Sequence, residues 1–186
     1  MSDACLKQVN PYYVTGDFYP RPALVYVNHC GHITFSDVIM MIAPFWTLHP
    51  ACCDDVLISG LRILNDLNVA NSDGIDPEHS TNVRFSNITC DSENGVFLSG
   101  SPGNHIEDSL FENVRVMVRS KSKWPKGMYD LRPGYGQKIE EIKTSGFYMR
   151  RADDVVLRNC QVKFEGEERN DFSHALFAQE CRDMVL

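Results

Sequence analysis

The stretch Cys30-Gly31-His32-Ile33-Thr34-Phe35-Ser36-Asp37-Val38 returns, altered but recognisable, as Cys53-Asp54-Asp55-Val56-Leu57-Ile58-Ser59-Gly60-Leu61 and again as Ser80-Thr81-Asn82-Val83-Arg84-Phe85-Ser86-Asn87-Ile88. Fainter echoes follow at Ser109-Leu110-Phe111-Glu112-Asn113-Val114, Val155-Val156-Leu157-Arg158-Asn159-Cys160 and Cys181-Arg182-Asp183-Met184-Val185-Leu186. The copies lie about 23 to 29 residues apart, with one gap of roughly twice that between Phe111 and Leu157. Such a period is that of a solenoid, in which each unit buries its apolar side against the next. Within a copy, apolar residues alternate, a polar pair such as Ser86-Asn87, Glu112-Asn113 or Arg158-Asn159 turns the chain, and a second apolar pair follows. Short β-branched strands between Asn, Ser and Gly corners predict an all-β chain, a right-handed, single-stranded parallel β-helix. No long stretch keeps apolar residues at helical spacing. A β-sandwich would need hairpin turns of the Asn-Gly type, and the pair Asn94-Gly95 falls at a break in the repeat.

The bulk properties agree with one domain over residues 1–186. The chain is 43% hydrophobic and 23% charged, enough apolar content for a core. A net charge of -7 excludes a nucleic-acid partner, which needs clustered Lys and Arg. The first residues, Met1-Ser2-Asp3-Ala4-Cys5-Leu6-Lys7, carry no secretory signal, and no segment reaches membrane-spanning length, so the expectation is a cytoplasmic protein without a membrane partner. Were the chain a fragment of a longer precursor, a secreted or periplasmic location would follow instead. Seven cysteines in a chain of this size fit reduced thiols. Cys30, Cys53 and Cys181 share one repeat position with Ser80 and Ala152, which predicts a stack of small side chains and not a metal site. The segment from Arg119 to about residue 144, rich in Lys, Pro and Gly, interrupts the repeat and is expected as a long surface loop.

Chemistry concentrates at Asn71-Ser72-Asp73-Gly74-Ile75-Asp76-Pro77, where two carboxylates flank a glycine. Taken by residue type alone, Asp and Gly at a coil corner are an ordinary Asx-turn. Paired acids are also what glycoside hydrolysis requires, one to protonate the leaving oxygen and one to activate water, about 6.5 to 9.5 Å apart in an inverting enzyme.

The runs Pro44-Phe45-Trp46-Thr47-Leu48-His49-Pro50, Cys53-Asp54-Asp55-Val56 and Asn71 to Pro77 resemble the polygalacturonase family, glycoside hydrolase family 28, and within it the bacterial members. The resemblance resumes at Leu98-Ser99-Gly100-Ser101-Pro102-Gly103-Asn104-His105-Ile106-Glu107-Asp108 and at Ser145 to Val155. It implies an inverting hydrolase of galacturonate-containing pectic polysaccharides that uses no cofactor or metal. The family's Asn-Thr-Asp-Gly motif falls on Asn71, Ser72, Asp73 and Gly74, so Asp73 inherits a catalytic carboxylate, read as the acid, with Asp76 beside it. The family's Gly-Asp-Asp, Gly-His-Gly and Arg-x-Lys turns are absent, as if central coils were missing after Cys90. Asp91 or Glu93 would then have to supply the second carboxylate, one coil from Asp73.

Substrate contacts are expected from Asn71, from the aromatic-polar cluster Trp46 and His49, and from Trp124 in the basic insertion. Trp46 also fits a plain coil-wall role, and the arginines Arg62, Arg84, Arg115 and Arg158 a solvated outer face. An inactive remnant or sugar-binding protein is the second functional reading, and a polysaccharide lyase, marked by calcium dependence, the third. The strand running to Leu186 without a cap leads to the expectation of self-association through the C-terminal coil.

Overall fold

A computed structural model describes residues 22–69, 71–122, 127–130, 139–166 and 172–186. Its first three strands are β1 (Val25–Asn28), β2 (Gly31–Ser36) and β3 (Ile39–Met41), and the next coil repeats them as β4 (Leu48–Ala51), β5 (Asp54–Ser59) and β6 (Arg62–Leu64). The third coil runs through residues 75–78 into β7 (Thr81–Ser86) and β8 (Thr89–Ser92). The fourth holds β9 (Val96–Ser99), β10 (Leu110–Glu112) and β11 (Arg115–Arg119). A hairpin of β12 (Met128–Asp130) and β13 (Ile139–Glu141) intervenes before β14 (Phe147–Arg150), β15 (Val156–Arg158), β16 (Gln161–Glu165) and β17 (Leu176–Gln179).

Every inter-coil pairing is parallel, and three faces result. The first is one continuous sheet, β2-β5-β7-β10-β15. The second is in two pieces, β3-β6 and β8-β11-β16. The third is also in two, β1-β4 with bridges from Leu48 to Ile75 and from Ala51 to Glu78, and β9-β14-β17. The chain is therefore the parallel β-helix that its repeats predict.

The register explains why the repeats look as they do. Phe35, Ile58, Phe85, Phe111 and Leu157 fall on one rung line of the first face, and the rings of Phe85 and Phe111 stack at 4.6 Å. Alternation along each strand sends such residues inward and their neighbours out. Full burial of side chains this size contributes about 1.5–3 kcal/mol each. Two clusters form, one around Leu48, Val56 and Ile58, the other around Val116, Val118 and Met149, and Phe85 and Ile88 pack against both.

Corners between strands are turned by left-handed residues at fixed places. One column comprises His32, Asp55, Asn82, Asp108, Asp154 and Asp183, with φ between 49° and 56°. Another comprises Asp37, Gly60, Asn87, Asn113 and Asn159. Here Asn113 donates from Nδ2 to Asn87 Oδ1 at 3.1 Å, and Asn159 to Asn113 Oδ1 at 2.6 Å. Asn and Asp adopt this conformation more readily than other side chains, because their short polar groups bond locally. The small-residue column is real: Sγ of Cys30, Cys53 and Cys181 each donates to the carbonyl two residues back, as Ser80 Oγ does.

The insertion departs from the expected plain loop. Part of it is an antiparallel ribbon, Met128 opposite Glu141 and Asp130 opposite Ile139, and Tyr129 on it is only 2% exposed. Asn94-Gly95 is no hairpin turn either. It is the tight corner from β8 to β9, with Gly95 at φ 67° and its Cα facing the Gly146 carbonyl.

A Cβ at Gly95 would lie 2.4 Å from the Gly146 oxygen and 2.8 Å from that of Ser145. Gly95→Ala is expected to cost about 2–4 kcal/mol in chemical denaturation, against about 1–2 kcal/mol for Asn113→Ala, which removes exposed ladder hydrogen bonds and puts Ala in a left-handed corner.

Candidate active site

The corner from β6 into residues 75–78 is fastened by buried polar groups. Thr47, fully buried, donates both its backbone N–H (3.0 Å) and its Oγ1 (2.9 Å) to the carbonyl of Asp73. Asn65 donates from Nδ2 to Thr47 Oγ1 at 2.6 Å and to the Ser72 carbonyl at 2.8 Å, and its Oδ1 accepts from the Ala43 N–H at 3.1 Å. Ser72 Oγ donates to the Val69 carbonyl at 2.9 Å. Buried side-chain amides satisfied on every side hold a loop to one shape. Asn71, at φ 58°, starts this turn, and Asp73 sits exposed at its tip.

Past the corner, Ile75 pairs with Leu48, which puts Asp76 directly beside His49 and His49 beside Tyr26. Val25, Leu48 and Ile75 point into the core, so Tyr26, His49 and Asp76 form an outward column on the third face. His49 is 8% exposed and is boxed in. Trp46 meets it edge-on at 4.6 Å, Tyr26 lies at 5.1 Å, and its Nε2 is 3.1 Å from Glu78 Oε2. Phe45 stacks on Trp46 at 4.8 Å.

In this setting the two carboxyl groups of the motif diverge. Burial pushes Asp76 up to about 8, and the neighbouring charge of Asp73 adds to the effect. Asp76 Oδ2 is enclosed without a hydrogen-bond partner, so nothing offsets the loss of water around its charged form. A carboxyl group protonated at neutral pH beside an exposed carboxylate is the electronic arrangement of an acid-base pair.

Asp73, Asp76, His49 and Trp46 are thus brought to one face. Asp91 is on the second face, on β8, where its carboxylate is bound by the Arg119 guanidinium (Nε at 2.7 Å) and Lys121 Nζ (3.1 Å). Those cations hold its carboxyl below the usual range. Glu93 does occupy the corner one coil on from Asp73, but its carboxylate accepts from the N–H groups of Lys121 and Ser122 and from Ser122 Oγ, anchoring the chain as it leaves β11. Trp124 lies outside the described residues. Of the arginines, Arg84 pairs with Asp55 and Arg158 with Glu112 on the first face. Among the described residues, the arginine on a third-face strand is Arg150, two residues beyond Tyr148 on β14.

Thr47, Asn65, Glu78 and Arg150 were not singled out from sequence. Thr47 had a signal: it precedes Leu48 where Gly74 precedes Ile75. Asn65 had none, because its partners come from three separate corners. Among the described residues, no group of three or more His, Cys, Asp or Glu is placed to hold a metal ion, and no helix is long and apolar enough to cross a membrane.

Comparison with known proteins falls on the same region. Residues 16–124, more than half of the chain, match the model of a family described as glycosyl hydrolases family 28. A probable polygalacturonase of Vitis vinifera is 34% identical over 67 residues, covering 36% of this chain and 14% of that protein. The chain thus corresponds to about one seventh of that curated relative's length. No solved structure matches. With the matched span running from the first coil through both carboxylates of the corner, the chain belongs to glycosyl hydrolases family 28.

Proposed function

We propose that the chain hydrolyses glycosidic bonds in galacturonate-containing pectic polysaccharides with inversion, using Asp76 as general acid and Asp73 as general base. The observation that carries the reading is the enclosed, proton-retaining carboxyl of Asp76 beside the solvent-facing Asp73. Resemblance alone gave the acid role to Asp73, but electrostatics favour Asp76 for it. An acid must hold its proton at working pH, whereas a base must be ionised and reach water. Asp76 gives its proton to the glycosidic oxygen as the C–O bond breaks. Asp73 takes a proton from the water that attacks the anomeric carbon from the opposite side, leaving an inverted hemiacetal and a free hydroxyl. The two carboxyl groups then exchange their proton with solvent. Trp46, half-buried against His49, offers an aromatic plane to the sugar.

A second reading, a remnant that binds without turnover, is favoured by one observation: Asp91 and Glu93, the acids available in the next coil, are already bound by Arg119, Lys121 and Ser122. Reducing-sugar release from polygalacturonate decides between them. Under the hydrolase reading, Asp76→Asn and Asp73→Asn each lower kcat/KM by about 10²- to 10⁴-fold, chelators have no effect, and no unsaturated product forms. The rate falls as pH rises through about 8, where Asp76 loses its proton. A folded chain that binds oligogalacturonides and never cleaves them establishes the remnant.

The raised carboxyl group also predicts a stability change. Between the unfolded value near 3.9 and about 8, native Asp76 keeps a proton that the unfolded chain has released, so stability declines as pH climbs through that window. Asp76→Asn removes that slope, and its stability relative to the parent rises by on the order of 3 kcal/mol from pH 4 to pH 9 in urea titrations.

A further inference from the structure

In the first two coils the third face presents apolar groups that the acid pair does not use. Val25 and Val27 pack into the core, so alternation turns Leu24 and Tyr26 outward. Leu24 is 45% exposed and Tyr26 55%. Both are tied to the second coil. The Leu24 N–H donates to the Trp46 carbonyl at 3.0 Å, and Tyr26 lies in register with His49, its ring 5.1 Å from the imidazole. Phe45 and Trp46, each half-buried and stacked at 4.8 Å, continue the apolar surface as far as His49.

Formal charge on this part of the face is negative. The strands β1 and β4 and residues 75–78 read Val-Tyr-Val-Asn, Leu-His-Pro-Ala and Ile-Asp-Pro-Glu, with Asp76 and Glu78 and no Lys or Arg among them. Asp73 stands exposed at the corner, and the exposed Glu78 meets His49 Nε2 at 3.1 Å and His79 Nε2 at 3.8 Å. At a coil spacing of about 4.8 Å, Tyr26 is on the order of 10 Å from Asp76, so it lies under a sugar near the cleaved bond and not under the bond itself. A free galacturonate bound there would set its carboxylate against apolar side chains and in the field of Asp73 and Glu78. Apolar contact strips water from a charge without replacing it, and like charges at this range repel. A methyl ester removes the charge and gives the same surface a further methyl group to cover.

We infer that Leu24, Tyr26 and Trp46 form a subsite for a methyl-esterified galacturonate neighbouring the cleaved bond, so that the chain takes esterified pectin in preference to the free polyacid. This rests on the hydrolase reading of Asp73 and Asp76 and adds which form of the polymer their site accepts. Leu24 and Tyr26 have no part in proton transfer. They set specificity by the surface they offer to the sugar beside the one that is cleaved.

The test is calorimetric binding of tetragalacturonate and of its fully methyl-esterified form to the whole chain, with reducing-sugar release from both. The ester is expected to bind about tenfold more tightly and to be cleaved with the lower KM at similar kcat. Added salt tightens binding of the free acid by screening the repulsion and leaves that of the ester unchanged. Leu24→Ser combined with Tyr26→Ser, at two exposed positions, brings the preference close to unity, whereas Tyr26→Phe keeps it. Equal or tighter binding of the free acid, affinity for it that falls with salt, or a preference that the double substitution does not move overturns the ester subsite and leaves the hydrolase reading standing. A folded chain that neither binds nor cleaves either form overturns both. Should the double variant fail to fold, the salt series on the parent chain decides alone.

Discussion

Each coil of this protein has to hold one residue in the left-handed conformation at the start of its first-face strand, and the rest of the structure depends on that constraint. His32, Asp55, Asn82, Asp108, Asp154 and Asp183 occupy the position in turn, φ never straying beyond 49° to 56°. The kink lets the chain swing from the third face to the first while keeping inward residues inward. A slip of one residue would turn every core side chain out. The chain meets the cost of the conformation with Asp and Asn, and cross-coil bonds such as His32 Nδ1 to Asp55 Oδ2 at 2.8 Å tie neighbouring kinks together.

Asp76 depends on this register for its chemistry. It is an acidic residue on an outward position, and outward carboxylates are ordinarily solvated. What encloses it is the coil before it: Leu48 fixes the rung, His49 stands alongside, and Trp46 and Tyr26 crowd His49. The clasp of Thr47 on the Asp73 carbonyl, backed by Asn65 on Thr47 Oγ1 and on the Ser72 carbonyl, keeps the exposed acid at the corner. Burial thereby raises the proton affinity of Asp76, and the charge of Asp73 three residues away adds to it.

What could be read in advance was whatever repeats. Phe35, Ile58, Phe85, Phe111 and Leu157 announce the fold because one register line demands the same kind of residue each time, and Asn87, Asn113 and Asn159 announce its corners. The motif at residues 71–77 is visible in the sequence, but the burial of Asp76 is not, because it arises only once the coils stack. The fate of Asp91 and Glu93 was equally hidden: Arg119 and Lys121 lie 28 to 30 residues away and meet Asp91 only once coils stack. The hairpin has no signal in the sequence for a different reason. Met128–Asp130 and Ile139–Glu141 are short, carry no alternation of their own, and gain their order from Tyr129 lying on rings already in place.

The interruption of two of the three faces has a consequence for how the coils hold together. The first sheet runs through every coil, whereas the second face breaks between β6 and β8 and the third between residues 75–78 and β9. Each coil of a solenoid answers only to its neighbours, so the third coil, joined to the coil before it along the first and third faces and to the coil after it along the first and second, is where the stack parts most easily under load.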